Sequence, residues 1–201
     1  PCTGARLASG VLAADPVAMA TTADGGTLYV VSSWTRTLSE VDVATLRTRR
    51  TLELARDPRS LAIAPDMQRL YVTHLAGAPL TVVPLRTFVA EQPELELPPV
   101  VLERHYRRSG GYGGGFGFTT HRVATAAQHV SQAWTAAVDA DGRVAIPLLV
   151  NRPSQEHSES SFLAGYGGAA ESPGAVLAPD VFALVVWDPS SRRWAIAFEP
   201  D

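Results

Sequence analysis

The sequence predicts an all-β chain, a β-propeller of four-stranded blades of which about three to four lie within these 201 residues. Two observations predict it. "ADGGTLYVVS" at Ala23–Ser32 returns as "PDMQRLYVTH" at Pro65–His74, a shift of 42 residues. Each copy also sits in a unit of four short strand-like runs, and roughly 40–45 residues holding four strands is the length of one propeller blade. At that shift Asp15 falls on Asp57, Pro16 on Pro58, Ala20 on Ala62, Asp24 on Asp66, Leu38 on Leu80, Val41 on Val83 and Thr45 on Thr87, with no gap.

The elements of the first two units follow in order. Asp15-Pro16 and Asp57-Pro58 open each unit with a dipeptide that favours a turn. A small apolar strand comes next, then a turn at Asp24-Gly25-Gly26 or Pro65-Asp66. "TLYVVSS" and "RLYVTHL" are β-branched and aromatic, hence strands. They are apolar on both faces, as in a strand covered on both sides where sheets stack. A third strand is expected at "TLSEVDV" and "PLTVVPL", and a fourth at "RRTLELA" and "ELELP". Blades are thus expected at about 15–56, 57–99 and 126–201, in one propeller region over 1–201.

The third unit is degenerate. In "WTAAVDADGRVAIPLLV", Trp134–Val150, Asp141-Gly142 takes the place of Asp24-Gly25. Its third strand arrives late, within 181–198, where Val186-Trp187-Asp188 matches Glu40-Val41-Asp42 and Pro189-Ser190-Ser191 is the turn to a fourth strand. Two stretches lie outside the repeat and are read as inserted loops, 100–125 and 151–180. Both are rich in Gly, Ser and aromatic residues. Insertions in repeat proteins map to one face, often the binding face.

The aligned pattern resembles the YVTN family of β-propeller repeats. Pro16, Asp24, Gly25, Leu28, Tyr29, Val30, Val41, Asp42 and Thr45 carry the resemblance, and Pro58, Pro65, Asp66, Leu70, Tyr71, Val72, Thr73, Val83 and Thr87 repeat it. The second copy departs at Met67, where the family has Gly, and at Pro84, where it has Asp. The resemblance implies a bacterial extracytoplasmic protein, periplasmic, secreted or at the cell surface. It also implies that haem can belong to a longer parent protein, some relatives being peroxidase-like. Its motifs specify a fold far more than a function. A propeller closes with about four blades or more, so this chain is read as part of a larger propeller completed by further blades from the same parent chain, the alternative being a divergent small propeller with one more blade of its own.

Composition narrows the partners. The chain is 46% hydrophobic and 18% charged, with net charge −3, so a core can be buried and nothing draws nucleic acid. All 17 basic residues are Arg and Asn151 is the lone Asn, the signature of a GC-rich bacterial genome. No apolar run reaches the ~20 residues of a membrane span. Cys2, the single cysteine, closes no disulfide within the chain.

The candidate binding residues are Arg104, His105, Tyr106, Tyr112, Phe116, His121 and His129, all in or beside the first inserted stretch. "RHYRR" at 104–108 is a basic aromatic patch suited to an acidic partner. The histidines fit no metal-ligand spacing, and the glycine-dense run at 109–118 lacks the GxGxxG or GK[ST] context of a phosphate loop. Glu156, His157 and Glu159 read as exposed polar loop, and no GxSxG elbow is present. Trp34, Trp134, Trp187 and Trp194 are expected to pack within and between blades. No catalytic residue, metal site or cofactor is assigned to the chain. The expectation is a scaffold binding a protein or cell-surface polymer through its insertions; the alternative is the propeller portion of a larger redox or hydrolytic enzyme whose catalytic residues lie elsewhere.

Overall fold

The computed structural model describes residues 8–97, 100–107, 119–126, 129–151 and 181–198. Among them every regular element is a strand. The chain divides into two compact units, one of Pro1–Leu95, Val130–Leu149 and Phe182–Asp201, the other of Glu96–His129 and Val150–Val181.

In the first unit β1 (Pro16–Thr21), β2 (Thr27–Ser32), β3 (Thr37–Asp42) and β4 (Arg47–Glu53) form an antiparallel sheet in chain order. β5 (Pro58–Ile63), β6 (Arg69–His74) and β7 (Leu80–Pro84) begin a second sheet in the same order. The 42-residue repeat is written into the backbone. Ala20 pairs with Tyr29 as Ala62 pairs with Tyr71, and the bulge at Pro16/Ala18 recurs at Pro58/Ser60. Ser33 N–H donates to Asp15 C=O at 2.9 Å, and Leu75 N–H to Asp57 C=O at 2.8 Å. Left-handed φ values recur too, at Asp15 (59°) and Asp57 (47°), at Gly25 (69°) and Met67 (57°), and at Leu46 (54°) and Phe88 (55°).

The two sheets stack face to face. Tyr29, Val31, Leu38 and Leu54 of the first are buried in one cluster with Leu70, Val72, Val83 and Phe88. Side chains alternate across a strand, so Leu70 and Val72 face the first sheet while Tyr71 points the other way. Its hydroxyl donates to the Gly142 carbonyl at 3.2 Å, in the third sheet. Tyr29 and Tyr71 thus do the same work one blade apart: each ring fills the gap to the following sheet, 5% and 0% exposed respectively.

The second unit holds a hairpin, β8 (Val100–Arg107) and β9 (Thr119–Ala126), paired over eight positions. Residues 100–125 are therefore not a plain loop. The third sheet combines β10 (His129–Ala133), β11 (Ala137–Val138), β12 (Val144–Asn151), β13 (Val181–Asp188) and β14 (Arg193–Phe198), in the order β10-β12-β13-β14 with β11 also beside β12. Its first strand is thus broken in two. The late third strand and the Asp-Gly turn stand where the repeat puts them, Gly142 having a φ of 81°. Stacked antiparallel meanders of repeated design make this chain a partial β-propeller.

One expected strand is absent. Residues 94–97 of "ELELP" form no strand, and β7 meets only an isolated bridge, Val82–Glu91, with N–H···O distances of 2.7 and 2.8 Å. Pro93 follows two residues later and brings no N–H to a ladder, which ends the pairing.

Candidate functional site

The β8–β9 hairpin gathers most of the residues singled out in the sequence. His105 and His121 are register partners, Arg104 faces Arg122, and Tyr106 faces Thr120. Residues directly opposite in an antiparallel pair share a face of the ladder. His129 falls in β10, at the end of the second unit. Tyr112 and Phe116 lie outside the described residues, as do Cys2, Glu156, His157 and Glu159.

The tryptophans divide. Trp187 is 5% exposed and packs on Trp194, ring centroids 5.1 Å apart at 51°. Trp34 and Trp134 do not pack as expected: they are 83% and 55% exposed.

Sequence reasoning missed His74. It is buried between two partners: Nδ1–H donates to the Arg56 carbonyl at 3.0 Å, which leaves Nε2 to accept from the Thr81 hydroxyl at 2.8 Å. Burial holds its pKa below the ordinary histidine value, so the neutral ring is the folded form. Both ring nitrogens are used internally, a structural role that a lone His in an apolar strand does not announce.

A second feature lies where the second and third sheets of the first unit meet. At the preceding boundary, between first and second sheets, Arg50 of β4 bridges the gap. It pairs with Glu40, donates to the Leu85 carbonyl at 3.2 Å and stacks its guanidinium 4.2 Å from the Phe88 ring centroid. At the next boundary the matching contact reverses charge. Glu91 stands opposite Val82, as Arg50 stands opposite Glu40, and meets Arg192 at 3.2 Å. Arg192 occupies the turn position of Phe88, with φ values of 53° and 55°. The pairing that Arg50 fills is only half filled here, and a cleft of about 450 Å³ opens, lined by Arg69, Leu85, Arg86, Glu91, Trp187 and Arg192 among others. Among the described residues no group of three or more His, Cys, Asp or Glu side chains is placed to hold a metal ion.

No family model and no curated protein matches the chain. Solved structures do. Hydrazine synthase of Kuenenia stuttgartiensis is 15% identical, with a TM-score of 0.41 over 90% of this chain and 53% of that one. Dihydro-heme d1 dehydrogenase NirN, in complex with DHE, is 11% identical, with a TM-score of 0.41 over 91% of this chain and 36% of that one. The WD40 repeats of RRP9 are 8% identical, also at a TM-score of 0.41, over 91% of this chain and 51% of that one. This chain spans about half or less of each. At such identities and TM-scores these neighbours assign it neither activity nor ligand; the propeller reading rests on the repeated sheets themselves.

Proposed function

We propose that this chain is an extracytoplasmic β-propeller module of YVTN-like repeats, periplasmic, secreted or cell-surface, that serves as a scaffold binding an acidic surface polymer through its second unit. One observation carries the reading. The hairpin sets Arg104 opposite Arg122 in register, beside the opposed pair His105 and His121. Like charges directly opposite each other destabilise a ladder, and an anion held between them removes that penalty. The two described strands of the hairpin carry Arg104, Arg107 and Arg122 against Glu103, a local excess of positive charge in a chain of net charge −3.

The test uses poly-L-glutamate as the acidic probe, titrated into the whole chain by calorimetry at low salt. Saturable binding that weakens with ionic strength is expected, because exposed charges are screened over a Debye length of about 10 Å at 0.1 M salt. The double variant R104S/R122S is expected to bind at least about tenfold more weakly, since each charged hydrogen bond is worth roughly 1.5–3 kcal/mol. Unchanged affinity in that variant overturns the assignment. Stoichiometric haem uptake with a Soret band would instead favour the propeller portion of a haem enzyme.

A further inference from the structure

The cleft between the second and third sheets has a built chemistry of its own. About 450 Å³ lies within the span of small-ligand sites, roughly 300–1,000 Å³. Its lining combines three guanidinium groups (Arg69, Arg86, Arg192) with one carboxylate, Glu91. One of the three is held by hydrogen bonds: Glu91 accepts from both terminal nitrogens of Arg192 at 3.2 Å, whereas Asp66 stands 3.6 Å from a partly exposed Arg69, beyond hydrogen-bond reach. Arg86 is exposed and has no ion pair or side-chain hydrogen bond among the described residues. Leu85, Pro189 and the 5% exposed Trp187 add apolar lining.

The cleft exists because the second blade departs from the repeat. Without a strand in the place of β4, no cation–π stack like that of Arg50 on Phe88 is found at this boundary among the described residues. A guanidinium fork recognises a carboxylate bidentately, and a mostly apolar lining with a few placed charges suits an organic anion. We infer that this cleft binds a small organic anion bearing two carboxylates, one held by Arg86 and the other by Arg69, with its apolar body against Leu85 and Pro189. Glu91 opposes the ligand by neutralising Arg192.

Isophthalate is the probe, titrated into the whole chain and read by tryptophan emission and calorimetry, with isophthalamide and inorganic phosphate as comparators. Saturable isophthalate binding is expected, with both comparators at least about tenfold weaker. Arg86→Gln, an exposed change that leaves the fold intact, is expected to weaken binding about tenfold or more. Glu91→Gln is expected to tighten it about threefold, because it frees Arg192, a gain that a purely structural role for Glu91 would not give. Arg47→Gln on β4, outside the cleft, is expected to change nothing. Equal affinity in Arg86→Gln, or phosphate or isophthalamide binding as well as isophthalate, overturns the inference. The hairpin plays no part, so R104S/R122S separates this site from the acidic-polymer reading.

Discussion

Met67 shows how far the backbone of one blade dictates the next. It holds a φ of 57°, matching 69° at Gly25, although its side chain carries a Cβ that this region disfavours. The Asp66 carboxylate keeps the turn by accepting from Gln68 N–H at 2.9 Å, as Asp24 does from Gly26 N–H at 2.9 Å. A left-handed non-glycine residue costs roughly 1–2 kcal/mol, part of which glycine returns as unfolded-state entropy. Met67→Gly is therefore expected to stabilise the chain by about 0.5–1 kcal/mol, raising Tm by roughly 1–4 °C. Scanning calorimetry checks this. A lower Tm would mean that the Met67 side-chain contacts outweigh the backbone cost.

The turns between third and fourth strands explain the Asp of the repeat. Asp42 accepts from Thr45 N–H at 2.8 Å and from its hydroxyl at 2.9 Å; these bonds, the backbone one foremost, bring its pKa down to about 2. Asp188 does the same in the third sheet, where the hydroxyl and N–H of Ser190 and the Ser191 hydroxyl lower it to about 2. Both folded values lie below the ordinary 3.8. The stability they contribute is thus complete above about pH 4 and is lost as pH falls from there toward 2. In urea unfolding, the double variant D42N/D188N is expected to show a shallower loss of stability over that window than the parent. Parallel curves would contradict the capping role. Pro84 stands at this position in the second blade and offers only its carbonyl, to Phe88 N–H at 2.8 Å.

Which elements were legible follows from the same physics. Leu-Tyr-Val, the Asp-centred turns and the late Val-Trp-Asp strand announce themselves because each residue type has one local duty. The missing fourth strand was not legible. "ELELP" alternates as a strand should, and the decisive residue is Pro93 upstream of it. The hairpin was hidden for a different reason: the glycine-dense run at 109–118 dominates its composition, while the paired strands flank it. The candidate residues were readable as types, but their pairing was not. His105 opposite His121, and Arg104 opposite Arg122, depend on register, which spacing alone cannot fix without the turn. The cleft left no local signal at all. It arises from a strand that fails to form and from residues as distant as Arg69 and Arg192.

At the scale of the molecule, the described part of the first unit is held by sheet-on-sheet packing, with little help from its surface ion pairs. Arg36–Glu53 at 3.0 Å and Arg143–Asp141 at 2.9 Å are exposed, and surface pairs of this kind are screened by solvent and contribute little. The stacking rests on paired positions. Tyr29 closes the gap between the first and second sheets, and Tyr71 the gap between the second and third. The central claim, that equivalent blades succeed one another at a 42-residue interval, is tested most directly by equilibrium urea unfolding of Tyr29→Ala and Tyr71→Ala. Equivalent buried rings predict a loss of roughly 3–5 kcal/mol at each site. A loss below about 1 kcal/mol at both would contradict the stacked-blade account.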